Sequence, residues 1–370
     1  MPAWRRALFA FVFALAALAA GASSAMPRLL LDMRSGEVLF ADEAGQPWHP
    51  ASLTKLMTAY VTFEAIAAGR LTLDTPVIIS ERALAEPPAK IGLPVDTALT
   101  LENALYLLIV KSANDIAVAI AETVSGSVED FVFEMNVTAS ALGMSASHFT
   151  NPNGLHDPDQ VTTARDLAVL ALSIRIRHPQ YDALFATESV QLGKARLDSN
   201  NNLLTGFAGA DGMKTGYVCS SGLNIVATAT RQGRDLMAVV LGSASARERG
   251  EVAAQLLLSG FSGQISGSGR SVAAIANDGG APTDMRPLIC GKEAGDYVAS
   301  RAEAYPYGLE GEPSFLSDKV ASHVHAVSLL GRLRSVPLPR SRPLWAPEPP
   351  PSPTLDFPLP RPRPFLRGTL

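Results

Sequence analysis

The chain of 370 residues has room for one large domain or two ordinary ones. A formal net charge of -4 and a pI near 5.9 exclude the strongly basic footprint of a nucleic-acid binder and fit a neutral or small substrate. Two cysteines, Cys219 and Cys290, leave one disulfide or two buried thiols open. Six histidines lack metal-ligand spacing, His323 and His325 lying two apart without a partner cluster, so no metal or other cofactor is expected.

Arg5 and Arg6 precede an apolar run from Ala7 to Ala20 and small residues through Ala25. That is the layout of a secretory signal peptide over residues 1–25, ending at Ala22 or Ala25, with an uncleaved anchor as the alternative. Either way an exported, periplasmic or cell-envelope protein is expected. Leu29 to Asp32 and Glu37 to Ala41 then read as a hairpin turning at Gly36.

From Ser52 the period changes. Leu53, Leu56, Met57, Tyr60, Phe63 and Ala67 recur at three and four, predicting a helix that Gly69 ends and that lies central and buried. Thr100 caps a second predicted helix through Val110, and Asn114 opens a third that stops near Gly126. Ser127 to Asp130 resembles a capping box ahead of Phe131, Met135 and Leu142. Thr150 to Thr163, with Pro152, Gly154, Asp157 and Pro158, reads as a loop, and Thr163 caps a helix through Ile176. The stretch from Ala68 to Arg177 is therefore predicted to be mostly helical.

Leu223 to Thr230 and Asp235 to Leu241 read as an antiparallel pair joined at Gln232-Gly233, followed by a helix from Ala246 to Leu258. Strands at both ends of a helical middle predict one α+β domain over about 27–262, its antiparallel sheet assembled from N- and C-terminal pieces. Residues 263–336 form a poorly defined extension. Residues 337–370 read as a disordered tail, since Pro337 to Pro364 holds twelve of the 27 prolines. Its arginines outnumber Glu348 and Asp356, which leaves peripheral attraction to lipid headgroups or anionic wall polymer open beside a merely solvated tail.

Pro50-Ala51-Ser52-Leu53-Thr54-Lys55 puts a serine at a helix start and a lysine one turn later on the same face. Hydroxyl and amine can therefore meet, beside backbone N–H groups suited to a developing oxyanion. Ser112-Ala113-Asn114 lies between two predicted helices, and Lys214-Thr215-Gly216 leads into a segment of strand character. Each motif is common alone; in this order they match the three-part signature of penicillin-binding proteins and class A β-lactamases, with Ser-Ala-Asn in place of Ser-Asp-Asn.

Together with Asn151-Pro152-Asn153-Gly154-Leu155, Thr163-Ala164-Arg165-Asp166 and the Asp211-Gly212-Met213 lead, residues 27–262 resemble the low-molecular-mass D-alanyl-D-alanine carboxypeptidases. The resemblance implies a serine β-lactamase/transpeptidase-like fold with a helical subdomain. It implies peptidoglycan stem peptides as substrate and β-lactams as inhibitors. The chain beyond residue 262 does not resemble the β-rich second domain and amphipathic end of well-known members.

A serine hydroxyl needs an adjacent base, and a lysine serves only when its amine is largely neutral. Lys55 therefore requires a lowered pKa, which burial and a nearby Lys214 would supply. Ser52 is expected to attack the carbonyl between the terminal D-alanines, with Ser112 relaying a proton to the leaving amine. Asn114 is expected to hold the substrate amide, and Lys214, Thr215 and Gly216 to line the carboxylate side of the cleft. By resemblance, the backbone N–H groups of Ser52 and Tyr217 form the oxyanion hole and Arg249 meets the carboxylate. Arg247 lies close enough to compete with it, and an exposed helix-start arginine is the alternative reading of Arg249. Arg165, Asp166 and Asp115 read as local helix-start structure.

A class A β-lactamase would need a further glutamate for deacylation. No glutamate lies between Glu134 and Glu188, only Asp157 and Asp159 in the loop, so slow release of bound penicillin is expected. A D,D-endopeptidase shares the motifs, and a non-catalytic wall-binding protein is the reading from a different class.

Overall fold

The computed structural model describes residues 26–265 and 267–333. The signal-peptide and Pro-rich-tail readings lie outside the described residues. Five strands build the central sheet: β1 (Arg28–Asp32), β2 (Val38–Asp42), β3 (Ala210–Val218), β4 (Gly222–Arg231) and β5 (Arg234–Ser243). Their order is β2-β1-β5-β4-β3, every pair antiparallel, with Leu29 opposite Val239 and Lys214 opposite Val226. The N-terminal hairpin thus joins a C-terminal meander, as the pattern predicts. Gln232 and Gly233 both take positive φ at the β4–β5 turn, the left-handed pair that suits the twist of a two-residue hairpin.

Both faces of this sheet are covered. Leu29 and Leu31 point into one core with Val226, Met237 and Val239, while Leu30 points into the other with Ile225, Ala238 and Val240. Burial on both sides is why β1 reads as a continuous apolar run and not as an alternation. The first core is closed by α1 (Thr54–Ala67), α2 (Asn114–Ser125), α3 (Val128–Ala141) and α4 (Ala164–Arg177). The second is closed by α5 (Ala246–Phe261) through Val252, Ala253 and Leu257.

The caps fall where the side-chain chemistry places them. Ser127 accepts from the Asp130 amide, Thr163 from Asp166 and Ser245 from Glu248, each satisfying one orphan donor of a first turn. Helix α1 is more than one-sidedly buried: Thr54, Thr58 and Thr62 are enclosed together with the apolar face. Thr58 donates to the carbonyl of Pro152 and Thr62 to that of Thr58, so these hydroxyls do not compete with the core. Ala67, expected on the buried face, is exposed at the helix end.

The span from Ala68 to Arg177 is not purely helical. Pro76–Ile78 and Thr97–Thr100 pair antiparallel, where Pro76 breaks a helix and Val77 and Ile78 favour strand. The helix begun by Thr100 runs only over Leu101–Tyr106 and widens into a π-turn over Leu107–Lys111, after which Ser112 takes φ of 61°.

Residues 267–333 retrace the surface of this domain. The Val38 amide donates to Arg270 and its carbonyl accepts from Ser268, and Glu37 forms an isolated antiparallel bridge with Ser271 at the edge of the sheet. Glu251, buried on α5, accepts from the Ser314 hydroxyl and the Phe315 amide, and Arg301 pairs with the buried Glu248. Val324–Val327 pairs parallel with Ser189–Leu192, and Leu329–Arg332 pairs antiparallel with Thr97–Thr100. Cys219 and Cys290 form a disulfide across 71 positions, and the Met285 amide donates to the Ser220 carbonyl beside it.

Closing a loop of that length constrains the unfolded chain, so Cys290→Ser is expected to lower unfolding free energy by roughly 2–4 kcal/mol. Thermal unfolding of the variant against the oxidised and reduced wild type checks this: all three melting together would show that the bridge contributes nothing.

Candidate active site

Ser52 lies in a single 3-10 turn, Ala51–Leu53, that leads directly into α1. Three backbone arrangements hold that turn. Asn224 on β4 donates to the carbonyls of His49 and Pro50 and accepts from the Gly242 amide. A Cβ at Gly216 would lie 3.0 Å from the Ser52 nitrogen and the Pro50 oxygen, so glycine lets β3 lie against the serine turn. Gly154, at φ of 85°, passes closer still, and a Cβ there would fall 1.9 Å from the Ala51 oxygen.

One helical turn later the Lys55 amine is fully enclosed, at 0% exposure. It donates to the Ser52 hydroxyl at 3.1 Å, to the side-chain oxygen of Asn114 at 2.8 Å, and to the backbone carbonyl of Asn153. As an ammonium it meets acceptors from three separate parts of the chain; as the neutral amine it keeps two of these donations and turns its lone pair to the Ser52 hydroxyl. Burial pushes its pKa well below the ordinary lysine value and the charge of Lys214 adds to the shift, while Asp115 and Glu86 oppose it.

Lys214 is buried on β3 and donates to the Thr215 carbonyl at 2.8 Å. Burial, and then the neighbouring Arg249, bring its pKa down to about 7. Arg249, in the first turns of α5, is also buried; it donates to the Asn200 carbonyl, and its pKa falls to about 10 through desolvation. The alternative of an exposed helix-start residue is therefore excluded for Arg249, which is buried with its guanidinium on the Asn200 carbonyl. Arg247 points elsewhere and donates to the carbonyls of Tyr305 and Tyr307 in the extension.

Asn114, the first residue of α2, uses its amide nitrogen on the Pro87 carbonyl as well as its oxygen on Lys55. One N–H and one lone pair of that amide remain. Ser112 is buried at the end of the π-turn in the left-handed region, a backbone state that costs about 1–3 kcal/mol and concentrates at functional sites. Tyr217 leaves the strand half exposed, its hydroxyl 3.3 Å from the Cys290 sulfur.

The helix-start acids do what local chemistry asks and more. Asp166 accepts from Arg165, from the Ala146 amide and from the Ser147 hydroxyl, a buried structural knot. Asp115 accepts from its own helix at Ile116, and from the amides of Ile91 and Gly92, tying the 86–92 loop to the site. Sequence reasoning missed Asn153, Gly154, Asn224 and Glu86. The Asn-Pro-Asn-Gly turn is the one signal for the first two, and nothing local marks the others.

Comparison with known proteins places the chain in a family. A family model described as D-alanyl-D-alanine carboxypeptidase matches residues 14–245, more than half of the chain. The chain belongs to this family. It is 34% identical over 243 residues to D-alanyl-D-alanine carboxypeptidase DacA of Haemophilus influenzae, a match covering 64% of this chain and 62% of that one. It is 35% identical over 266 residues to DacC of Escherichia coli, covering 68% and 66%. The chain thus spans less than two thirds of the length of these curated relatives. Among solved structures, DacD of Francisella tularensis superposes with a TM-score of 0.62 at 28% identity, covering 64% of this chain and 70% of that one. A penicillin-binding protein of Listeria monocytogenes, solved with cefotaxime bound, superposes with a TM-score of 0.58 at 29% identity, covering 64% and 96%. The fold is the α+β, transpeptidase-like one that the motifs imply.

Gly154 has the least freedom of the residues around the serine turn. Gly154→Ala is expected to lose more than about 2 kcal/mol of stability, from left-handed strain and overpacking. Denaturant unfolding tests it, and a neutral result would mean that the Ala51 turn yields easily.

Proposed function

We propose that this protein is a serine D-alanyl-D-alanine carboxypeptidase that removes the terminal D-alanine from peptidoglycan stem peptides and is acylated by β-lactams. The observation that carries the reading is the enclosed, pKa-lowered amine of Lys55 at 3.1 Å from the Ser52 hydroxyl. A lysine in that state takes a proton at neutral pH, which an ordinary exposed lysine does not.

In this reading Ser52 adds to the carbonyl between the two D-alanines as Lys55 takes its proton. Backbone N–H groups of Ser52 and Tyr217 stabilise the oxyanion. Ser112 relays the proton from Lys55 to the departing amine as the C–N bond breaks and the ester on Ser52 forms, and water then hydrolyses that ester to release the shortened peptide. Asn114 has one free N–H and one lone pair with which to hold the substrate amide. Lys214, Thr215, Gly216 and Arg249 form the carboxylate side, two cations suiting a substrate that ends in a free anion. The catalytic domain is residues 27–262, with the extension packed over it and the Pro-rich tail beyond. Among the described residues no helix is long and apolar enough to cross a membrane, and the proposed setting is the cell envelope.

Incubation with a fluorescent penicillin, followed by intact mass and peptide mapping, tests the reading. A stable adduct on Ser52, absent from Ser52→Ala, is expected; no adduct under any condition would turn the reading to a non-catalytic wall protein. A synthetic pentapeptide and a crosslinked dimer assayed side by side then separate carboxypeptidase from endopeptidase.

The pH dependence has a definite sign. Lys214 must be protonated to hold the carboxylate and titrates at about 7 in the free protein. Peptide kcat/KM is therefore expected to decline as pH rises through that region, while Lys214→Arg, which stays charged, moves the alkaline limb upward. An identical limb in the two proteins would assign it to another group.

A further inference from the structure

The loop between Thr150 and Thr163 carries no glutamate, yet one reaches it from another part of the chain. Glu86 ends the short helix Glu81–Ala85, whose first turn is capped by Ser80. Its carboxylate accepts from the side-chain amide of Asn153 at 2.9 Å. Asn153 is buried, and its side-chain oxygen accepts from the Leu155 amide at 3.0 Å. Both ends of that amide are therefore held, and the same residue's backbone carbonyl receives the hydrogen bond from Lys55.

We propose that Glu86 is a positioning residue for acylation: through Asn153 it fixes the carbonyl that holds the Lys55 amine toward Ser52. The inference rests on the reading of Lys55 as the base. Glu86 does not touch the reacting atoms in this arrangement and acts through Asn153.

The surroundings give the carboxylate a second effect. Lys55 is faced by Lys214 from β3, Asp115 from α2 and Glu86 from the loop after the short helix. Glu86 in turn is faced by Arg82, Lys55 and Asp115, and burial pushes its own pKa up. A negative charge at Glu86 raises the pKa of Lys55, so removing it lowers that pKa and leaves the amine neutral to lower pH.

Two variants separate positioning from charge. Glu86→Gln keeps an acceptor for Asn153 and removes the charge, whereas Glu86→Ala removes both. The measurement is the second-order rate of acylation of the full chain by a fluorescent penicillin across about pH 5 to 9, with melting temperature followed in parallel. Glu86→Ala is expected to slow acylation about tenfold near neutrality, the scale of one hydrogen bond to a charged group. Glu86→Gln should recover most of that rate and shift the acid limb to lower pH.

Wild-type rates and limbs in both variants would overturn the proposal. So would a loss in Glu86→Ala that merely tracks unfolding while Glu86→Gln leaves the limb in place. Normal acylation with slowed release of the acyl group would overturn it too, and would put Glu86 in deacylation. A wild type that takes up no penicillin would defeat the reading of Ser52 and Lys55 itself, which the variants alone cannot do.

Discussion

A primary amine enclosed among oxygens is the constraint around which this molecule is built. An ammonium taken out of water costs several kcal/mol unless it is paired, and among the described residues Lys55 has no direct ion pair. Burial and the field of Lys214 push the pKa of the group well below the ordinary lysine value, which lessens that cost by favouring the neutral amine. That solution demands exclusion of water on every side. It explains why α1 is enclosed around Lys55, with threonines such as Thr58 satisfied internally instead of reaching solvent. It also explains why glycines admit neighbouring backbones on both sides of the serine turn, from β3 at Gly216 and from the loop at Gly154.

Much of this was legible in the sequence because it is local. The spacing of Ser52 and Lys55, the caps at Ser127 and Thr163, and the hairpin at Gln232-Gly233 each depend on residues within one turn of each other. What escaped depends on distance. Pro76–Ile78 and Thr97–Thr100 are short strands whose partners are each other and a segment near residue 330, and no local period announces them. Glu86 and Asn224 look like ordinary surface and strand residues until folding brings them to Asn153 and Pro50. Arg249 shows the same limit: two arginines two positions apart point to opposite tasks, and burial alone tells them apart.

The extension illustrates a related point about composition. A stretch rich in Gly, Ser and Ala offers little apolar side chain from which to build its own core. It is held here by borrowed partners: backbone pairing with Val38, the Glu251 carboxylate of α5 that accepts from Ser314 and Phe315, and a covalent tie at Cys219. Those contacts also enclose Glu248 and Glu251, which would be costly in the core without the donors that the extension brings. Extension and sheet thus satisfy one another's polar groups, although the family's motifs all lie before the extension.

The two buried lysines show why proximity of like charges is useful and not merely tolerated. Each is desolvated, but their neighbours differ. Lys55 feels the charge of Lys214 and, against it, those of Asp115 and Glu86, while Lys214 feels that of Arg249. Among the described residues, this row of basic groups, Lys55, Lys214 and Arg249, is met by carboxylates only at the Lys55 end. Such a gradient suits the proposed reaction. An anionic substrate terminus is drawn to the unpaired end of the row, and the amine that must accept a proton sits where carboxylates stabilise the cation it becomes. Placing the acids at the other end would attract the substrate less and leave the protonated base unsupported, so the order of charges along the cleft matters as much as their number.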